Sequence, residues 1–455
     1  MKHLLYQIVI WICFIVALPF FIIYTLGGPA YEMRQRLGFY PRTGKAPGKE
    51  VRIWLHAASV GEAQVARALV AEINQQIPCA EIWVSTMTRH GHLVCRQTMP
   101  PAVNCIFAPL DLVGICAWAM QNINPDIYVC LETELWPEII RQAKRRGAGP
   151  LLLNARLTEK SSRRYRAQPI YPVIRETISR FSAIAAIGEK DARRLQELGV
   201  NPDRIVVCGN AKHDLYPAAT RQKPSAIGES EHGTSLRKNL GIAPEQPVLV
   251  AGSTHRGEEK VLLAAWHKLQ RDLPDLVLVM APRHLRRLRE LEAFLRNRQV
   301  VFQRISAILA PVRQQKLPGI NHHPPVLLVD KMGELTELYA LTDFVFCGGS
   351  LIQRGGHNLL EAAAWGKPVL FGPFMDDFHE EAELLQQAGG GFKIHNAEEI
   401  HQQIMAFHLH PGAYRQAAQR ARQVVEALRG AAAKQTTIIK EQLVVIQQSI
   451  RTRSR

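Results

Sequence analysis

Residues 52–62 constrain the fold of this chain more than any other stretch. An apolar run ends in small residues and Gly61, and a carboxylate, Glu62, follows at once. This change is typical of a buried parallel strand that turns into a helix, and ligands bind at this end of α/β sheets. Glu62 is therefore predicted to lie where a general base would be useful. Ser59 and Glu62 also match a capping box, in which the glutamate only closes the start of a helix.

A second stretch, residues 347–361, repeats this design with more glycine. Domains usually hold about 100–200 residues, so a chain of 455 residues is expected to form two of them. Two strand-to-helix turns of this kind predict two Rossmann-like α/β domains that face a cleft.

Short apolar runs alternate with amphipathic stretches of helical length through most of the chain. Such alternation predicts βαβ units and parallel sheets. The candidate strands are residues 51–56, 81–87, 104–108, 127–131, 150–154, 183–187 and 205–208, and then 248–251, 276–280, 300–303, 326–329, 344–347 and 369–371. A long helical pattern at 413–448 ends the series and is expected to cross back over the first domain.

The segment between the two series, residues 216–246, is rich in proline, serine, glycine and charge, which is typical of a domain connection. The expected organisation has five parts. They are a membrane anchor at 1–27, a first Rossmann-like domain at 28–215, the connection at 216–246, a second Rossmann-like domain at 247–412, and a C-terminal helix and tail at 413–455.

The N-terminus differs from the rest of the chain, because residues 4–26 carry no charge. About 20 apolar residues span the core of a bilayer, so this run predicts an uncleaved membrane anchor that Pro19 would kink. A cleavable signal peptide fits less well, since only Lys2 forms the basic front and no clear cleavage site follows. A helix lying in the membrane interface is the remaining alternative. Basic residues between 34 and 49 predict that the rest of the protein is cytoplasmic.

The net charge of +16 narrows the classes of partner. A basic excess favours nucleic acid, phospholipid headgroups or phosphorylated substrates. Nucleic acid is not expected, because the sequence has no helix-turn-helix, zinc-finger or RNP-type motif. Basic clusters at 144–146 and 156–166 predict contact with acidic lipid, although such runs are usually only solvated faces. The eight cysteines form no C-x-x-C pair, which favours buried thiols in a reducing compartment over a metal site.

Further candidate residues are predicted at the carboxyl end of the first sheet. Glu132 and Glu134 follow the apolar run 127–131 and would point the same way if the strand continued. Lys212 follows the last predicted strand of this half, where a cation could stabilise a leaving phosphate. Charge compensation at a helix start and an ordinary surface lysine are the plainer interpretations.

Anion-binding residues are predicted in the second half. Arg283 ends a predicted strand, where a guanidinium can bind phosphate. Ser350 and residues 355–358 precede a predicted helix, and backbone N–H groups at a helix start bind anions. Asn358 and Glu361 share a helix face, so Glu361 could accept hydrogen bonds from ribose hydroxyls or merely cap the helix. These glycines match neither a P-loop nor the NAD fingerprint.

At these motifs the chain resembles the 3-deoxy-D-manno-octulosonic acid (Kdo) transferases of lipopolysaccharide synthesis. Any one of the motifs alone would be a weak signal, but together they follow the order of the family from the anchor to the C-terminal helix. The matching residues are 56–62, 132–137, 154–156, 209–212, 281–284, 333–335 and 355–358, with Glu361.

The resemblance implies a glycosyltransferase of the GT-B fold on the cytoplasmic face of the inner membrane, in contact with anionic lipid. The first domain would bind the acceptor, a tetra-acylated lipid A precursor (lipid IVA), and the second domain would bind the donor, CMP-Kdo. The transfer would invert the donor anomeric centre without a metal or another cofactor.

The resemblance also assigns roles to individual residues. Glu62 matches the catalytic base, and Glu132 and Lys212 match stabilisers of the transition state. The residues that match donor contacts are Pro282, Arg283, Met332, Gly333, Glu334, Asn358 and Glu361. Ser350 and Gly356 of the glycine-rich loop are added to this set.

Two other hypotheses are compatible with the same residues. One is a different GT-B enzyme that uses a UDP-sugar, either a membrane-associated transferase or an epimerase. The other is a non-catalytic scaffold on the membrane surface, for which Glu62 would have no chemical role.

Overall fold

The computed structural model describes residues 2–41, 44–168, 170–216, 231–309 and 326–453. The chain folds into two compact units. Unit 1 comprises Met1–Leu215 and Leu428–Arg455, and unit 2 comprises Tyr216–Ala427. Each unit holds, among its described residues, one sheet of seven strands.

The sheet of unit 1 is parallel throughout. Its strands are β1 (Val51–His56), β2 (Ala80–Thr86), β3 (Asn104–Phe107), β4 (Ile127–Leu131), β5 (Gly149–Ala155), β6 (Ala183–Ala186) and β7 (Ile205–Val207). Their order across the sheet is β3-β2-β1-β4-β5-β6-β7. All residues of β1 are buried, which is why this strand reads as an apolar run and not as an alternating pattern.

Helices cover both faces of this sheet. They include α1 (Lys2–Leu26), α2 (Ala30–Arg36), α3 (Val60–Gln76), α4 (Arg89–Thr98), α5 (Val113–Ile123), α6 (Pro137–Arg145), α7 (Glu159–Arg166), α8 (Tyr171–Ile178) and α9 (Glu189–Glu197). Successive side chains of β1 alternate between two hydrophobic clusters: Ile53 and Leu55 belong to one, and Trp54 belongs to the other. The sheet therefore separates two cores, as in doubly wound α/β folds.

Unit 2 repeats this architecture with a second parallel sheet. Its strands are β8 (Val248–Thr254), β9 (Val277–Pro282), β10 (Phe302–Arg304), β11 (Val326–Leu328), β12 (Phe344–Cys347), β13 (Val369–Phe371) and β14 (Gly391–Lys393), in the order β10-β11-β9-β8-β12-β13-β14. The predicted pair of parallel α/β sheets is confirmed. The sequence did not predict β14, because its three residues are too few to form a recognisable apolar run.

The helices of unit 2 extend to residue 427, and a large hydrophobic cluster forms part of its core. They are α10 (Glu231–Leu240), α11 (Glu258–Asp272), α12 (Leu288–Arg296), α13 (Ile305–Ile308), α14 (Leu335–Leu338), α15 (Leu360–Ala364), α16 (His379–Ala388), α17 (Ala397–Leu409) and α18 (Pro411–Ala427).

The helical pattern at 413–448 is divided between the two units. Helix α18 buries Tyr414 and Ala417 in the core of unit 2, whereas α19 (Ala431–Arg453) buries Ile439 in a core of unit 1. Between them Gly430 has φ +89°, a left-handed conformation that glycine adopts without steric cost. The predicted single helix is therefore wrong, although its second part does return to the first unit.

The connection predicted at 216–246 is only partly described, since residues 217–230 lie outside the described residues. From residue 231 onward, a buried ion pair fixes the position of the first helix. Arg237 of α10 lies 2.8 Å from the carboxylate of Asp343, and both residues are buried. Asp343 also accepts a hydrogen bond from the backbone N–H of Val248 (2.8 Å), so α10 is fixed beside β8 and β12.

Helix α1 contacts unit 1 near its start. The hydroxyl of Tyr6 donates to Asp111 (2.8 Å), and the amide of Gln7 donates to Glu138 (3.3 Å). Farther along, many apolar side chains of α1 are exposed, including Ile15, Val16 and Phe20. Over the residues that the structure describes, no helix is both long enough and apolar enough to cross a membrane.

We predict that Arg237→Leu destabilises unit 2 by about 3–5 kcal/mol, because it removes the ion-pair partner of the buried Asp343 carboxylate and leaves only the charge of Lys367 near it. Hydrogen exchange of the β8 amides in increasing urea measures this change. Arg256→Leu is the control: Arg256 is 87% exposed in its ion pair with Glu290, so we expect a change within about 0.5 kcal/mol. A similar small change for Arg237→Leu would contradict the prediction.

Candidate active site

Glu62 lies in the first turn of α3, directly after the carboxyl end of β1. Ser59 is the residue that caps this helix, and its hydroxyl accepts a hydrogen bond from the Glu62 backbone N–H (3.3 Å). The Glu62 carboxylate accepts hydrogen bonds from the Ala58 N–H (2.6 Å) and from the Ser59 hydroxyl (2.9 Å). One half of the predicted capping box, the bond from the Glu62 N–H to the Ser59 hydroxyl, is therefore present. The carboxylate accepts from the Ala58 N–H and the Ser59 hydroxyl, and these contacts fix its orientation.

The surroundings of Glu62 change its acidity. Burial raises the pKa of Glu62 to about 7, and the charges of Glu134 and Glu132 act in the same direction. The hydrogen bonds from Ser59 and Ala58 oppose this rise, because they favour the ionised form. A carboxylate with a pKa near neutrality can take a proton and release it again under physiological conditions, as a general base must.

Glu132 follows β4 in a strained backbone conformation, with φ +55°. Its N–H donates to the Leu153 carbonyl (3.0 Å), which attaches it to the neighbouring strand β5. Its carboxylate forms an ion pair with the ammonium group of Lys212 at 2.6 Å. A non-glycine residue held at positive φ costs free energy, and such residues concentrate at functional sites.

Lys212 also lies close to the start of α3. A side-chain carbon added to Gly61 would be 3.5 Å from the Lys212 ammonium nitrogen. Glu132 in turn is near enough to raise the pKa of Glu62. The structure therefore brings together Glu62, Glu132 and Lys212, which stand far apart in the sequence, and adds Glu134 to the same cluster.

The segment that carries Lys212 is a short 3-10 helix, Ala211–Leu215, held by polar contacts. Asn154 of β5 accepts a hydrogen bond from the Ala211 N–H (2.8 Å). Asp214 accepts hydrogen bonds from the N–H groups of Gly430 (2.5 Å) and Ala432 (2.7 Å). Asp214, two residues after Lys212, therefore links the Lys212 segment to the start of α19.

A second contact joins α19 to this segment. The amide of Gln435, which is fully buried, donates to the carbonyl of Gly209 (3.2 Å) and to Asn154 (3.4 Å). The sequence analysis assigned no role to the C-terminal tail and missed Asp214 and Gln435. The sequence near these two residues gives little indication of their role. Gly430 indicates a break before a helix, but it does not show that this helix contacts residues 209–214.

In unit 2, Asn358 and Glu361 interact, although they do not share a helix face as predicted, because α15 begins only at Leu360 and Asn358 lies in the loop before it. The Asn358 amide donates to Glu361 (3.1 Å) and to the hydroxyl of Tyr216 (2.7 Å). Thr336 donates to the other Glu361 oxygen (3.3 Å). Burial raises the pKa of Glu361, while these two hydrogen bonds and the charge of Arg283 lower it. Arg283 and Glu361 are therefore close enough to interact.

Comparison with known proteins assigns the chain to a family. The family model "3-Deoxy-D-manno-octulosonic-acid transferase (kdotransferase)" matches residues 31–215. A 3-deoxy-D-manno-octulosonic acid transferase of Haemophilus influenzae is 30% identical over 398 residues, which cover 87% of this chain and 88% of the relative. The chain belongs to the Kdo transferase family. A transferase of the same description from Chlamydophila psittaci is 30% identical over 358 residues, covering 78% of this chain and 77% of the relative.

Solved structures show that this Kdo transferase family member has a GT-B type of fold. A glycosyltransferase from Rickettsia africae matches it with a TM-score of 0.57 at 15% identity, covering 87% of this chain and 99% of the other. A UDP-N-acetylglucosamine 2-epimerase from Neisseria meningitidis matches with a TM-score of 0.56 at 14% identity, covering 86% and 99%. Membership of the family makes the chain a glycosyltransferase, and the scaffold hypothesis is set aside.

Ser350, one of the residues predicted to contact the sugar donor, takes part in the hydrogen bonds that hold the glycine-rich loop after β12. Ser350 is fully buried, and its hydroxyl accepts a hydrogen bond from the Gly372 N–H (2.8 Å). The N–H groups of Gly349, Ser350 and Leu351 donate to the Glu258 carboxylate at 2.8–3.0 Å. Ser350 therefore supports the loop, and its contact with the donor stays a prediction.

The other predicted donor residues differ in exposure. Pro282 is the buried last residue of β9, whereas Arg283 next to it is exposed. Met332 is 70% exposed. Gly333 and Gly356 both have left-handed backbone conformations, with φ +90° and φ +74°. Glu334 precedes α14, and its Oε2 atom is buried without a hydrogen-bond partner among the described residues.

We predict that Asp214→Ala loosens the Lys212 segment, because the two N–H groups at the start of α19 lose their acceptor. The expected cost is about 1–2 kcal/mol, as for the loss of a helix cap. Amide hydrogen exchange at 209–215 and at 430–435 should become faster. Asn396→Ala, which removes the cap of α17 in unit 2, is the control and should leave both segments unchanged. Unaltered exchange at 209–215 in Asp214→Ala would contradict the prediction.

Proposed function

We propose that this family member transfers Kdo from CMP-Kdo to a hydroxyl group of lipid IVA, a tetra-acylated lipid A precursor, and releases CMP. The transfer inverts the donor anomeric centre and belongs to the biosynthesis of the lipopolysaccharide core. The observation that carries this proposal is the cluster of Glu62, Glu132 and Lys212 at the carboxyl end of the first sheet, in a chain of the Kdo transferase family.

Glu62 acts as the general base in this reaction. A sugar hydroxyl has a high pKa, so a positioned carboxylate is needed to remove its proton as the new glycosidic bond forms. The capping contacts support this role, since they hold the carboxylate in one orientation through Ala58 and Ser59. Capping and catalysis are compatible here, because each carboxylate oxygen can accept more than one hydrogen bond.

Glu132 and Lys212 stabilise the transition state. The bond from the Kdo anomeric carbon to the phosphate oxygen breaks, and its electron pair passes to the phosphate, which gains negative charge. A nearby ammonium group stabilises developing charge of this kind without a metal ion. The ion pair of Lys212 with Glu132 at 2.6 Å supports the role of Glu132 as the residue that orients the ammonium group.

The donor is bound by residues of unit 2. We assign to it Pro282, Arg283, Met332, Gly333, Glu334, Gly356, Asn358 and Glu361. The buried and unpartnered Oε2 atom of Glu334 supports this assignment, because a bound nucleotide could supply the missing donor. Glu361 retains acceptor capacity for ribose hydroxyls, and Arg283 provides positive charge for the phosphate.

We propose that the acceptor is reached at the cytoplasmic face of the inner membrane. The net charge of +16 favours a surface of anionic lipid and a phosphorylated lipid acceptor. The exposed apolar side chains of α1 support membrane contact of this helix through residues such as Ile15 and Phe20. Exposed basic residues of α7, including Arg163 and Arg164, provide charge on the same unit.

We predict that Glu62→Gln abolishes Kdo transfer, because an amide cannot take the hydroxyl proton. The loss should be at least about 100-fold, the smaller end of a general-base contribution. Mass spectrometry of lipid IVA incubated with CMP-Kdo measures the product. Glu72→Gln, at the other end of α3, is the control and should retain activity. Full activity of a folded Glu62→Gln variant would remove Glu62 from the mechanism.

The pH dependence follows from the raised pKa of Glu62. The base must be ionised, and burial raises its pKa to about 7, so the rate should fall as pH drops below this value. The expected fall approaches about tenfold per pH unit on the acidic side. Initial rates at saturating CMP-Kdo test this, since they exclude effects on donor binding. A rate that is independent of pH between about 5.5 and 8 would contradict the assignment.

The alternative donor, a UDP-sugar, is tested by ligand stabilisation. If the chain binds the proposed donor, CMP should raise the midpoint of thermal unfolding and UDP should not, because a ligand stabilises only a protein that binds it. Stabilisation by UDP alone would exclude CMP-Kdo and favour the other class of GT-B enzyme. The likeness to the UDP-N-acetylglucosamine 2-epimerases does not favour that class, since it shows the fold alone.

A further inference from the structure

Three histidines of unit 2 follow the carboxyl ends of adjacent strands. His255 follows β8, His284 follows β9, and His357 lies in the loop after β12. Because β9, β8 and β12 are neighbours in the sheet and run parallel, their carboxyl ends meet at one edge. Ligands bind at this edge in α/β sheets, yet the assignment of donor residues above uses none of these histidines.

Two of these histidines touch directly. The Nε2 atoms of His255 and His357 are 2.9 Å apart, and their rings stack with centroids 5.1 Å apart and an angle of 13°. One Nε2 therefore donates a proton to the lone pair of the other. His284 approaches His255 edge-on, with ring centroids 5.9 Å apart. Gly349 permits this arrangement, because a side-chain carbon there would be 3.1 Å from the His357 ring.

Cations lie close enough to the pair to change its pKa values. Burial lowers the pKa of His357 to about 4, with further lowering by Arg283 and by the other two histidines. Burial also lowers the pKa of His255, as do the charges of His284, Arg354, Arg287 and Arg283. These groups come from the loops after β9 and β12 and from the short 3-10 helix Leu285–Arg287.

Four carboxylates of the surrounding segments are already engaged with other groups, and a fifth, Asp377, lies beside Gly355. Glu258 accepts the backbone N–H of His255 (2.9 Å) in addition to the three N–H groups of the glycine-rich loop. Glu259 pairs with Arg287 at 3.0 Å, and Glu290 lies 3.5 Å from the same guanidinium. Glu361 accepts from Asn358 and Thr336. The histidine pair thus faces an excess of positive charge, which a bound anion would offset.

We propose that His255 and His357, together with Arg283 and Arg354, form the site for the phosphate group of the donor nucleotide. The assignment rests on the proposed function, and it names residues that bind the leaving group. Clustered cations are unfavourable unless an anion joins them, and groups with perturbed proton affinity at a strand end mark functional sites. An anion in contact with the pair favours its protonated form, so donor binding takes up a proton.

The additional proton that the pair takes up on donor binding also assists bond cleavage. When the electron pair of the anomeric C–O bond passes to the phosphate, a phosphodiester with one negative charge becomes a phosphomonoester with two. A protonated histidine pair that donates a hydrogen bond to this oxygen stabilises the added charge most where it develops. The proton of the acceptor hydroxyl goes separately to Glu62, so the histidine pair does not act as the base.

Proton uptake by the wild-type protein is the primary test. The probe is the 5′-methyl ester of CMP, whose phosphodiester has the charge of the donor and does not titrate near neutral pH. Calorimetric titration at pH 7 in two buffers with different heats of ionisation counts the protons bound. We expect a substantial fraction of one proton per ligand, and a dissociation constant that increases as pH rises, by up to about tenfold per unit. Binding without proton uptake and without pH dependence would overturn the proposal.

Two variants test whether the proton uptake depends on His255 and His357. His255→Asn and His357→Asn should each weaken binding of the methyl ester by about tenfold or more, as expected for loss of a charge-assisted hydrogen bond, and should abolish proton uptake. Binding of cytidine, which lacks the phosphate, should not change. His408→Asn on the exposed surface is the control. Thermal unfolding identifies a misfolded variant, and folded variants with wild-type binding and uptake would overturn the proposal.

A uridine probe separates this inference from the proposed function. If the 5′-methyl ester of UMP binds with proton uptake and the CMP ester does not bind, the phosphate site stands and CMP-Kdo is the wrong donor. If the CMP ester binds with no proton taken up, the donor assignment stands and the histidine site fails. Binding of neither ester would overturn both.

Discussion

The ion pair between Glu132 and Lys212 is the contact on which the site of unit 1 depends. Its two residues lie 80 positions apart. Glu132 follows β4, and Lys212 lies on the 3-10 helix that follows β7, the last strand of the unit, so both lie at the carboxyl edge of the sheet. The contacts of that helix with Asn154 and with the start of α19 support the position of Lys212. The pair keeps a cation close to the start of α3, near Gly61. Burial, and after it the charge of Glu134, keeps the pKa of Glu62 raised. Removing either partner would alter both the position of the cation and the acidity of the base.

Much of this arrangement could be predicted from the sequence, because parallel strands that are buried on both faces appear as continuous apolar runs. The end of each run located Glu62, Glu132 and Lys212 at one edge. The support of Lys212 could not be predicted in this way. Asp214 and Gln435 form hydrogen bonds with backbone groups more than 200 residues away. The hydrophobic periodicity of a sequence predicts helices and strands, but it does not predict contacts of this kind. The support that Ser350 gives to its loop could not be predicted either, since it depends on Glu258, which accepts hydrogen bonds from the N–H groups of that loop.

Glu62 shows that a structural and a chemical interpretation of one residue need not compete. A cap satisfies backbone donors and favours the ionised carboxylate, while burial and neighbouring carboxylates favour the neutral form. The balance leaves the pKa near neutrality, which neither influence alone would produce. The cap contributes a fixed orientation, and the buried surroundings contribute the proton affinity that a base requires.

Burial shifts the pKa values of the candidate functional groups in opposite directions in the two units. It raises the pKa of the Glu62 carboxyl and lowers the pKa of the His255 and His357 rings, because it disfavours the charged form in each case. In unit 2 the proposed ligand opposes this shift, because a bound phosphate favours the protonated form of the histidine pair. Transfer then needs an ionised carboxylate, which low pH removes, and a protonated pair, which high pH removes. Two groups titrating in opposite directions confine the reaction to a window whose lower limit Glu62 sets and whose upper limit depends on the bound donor.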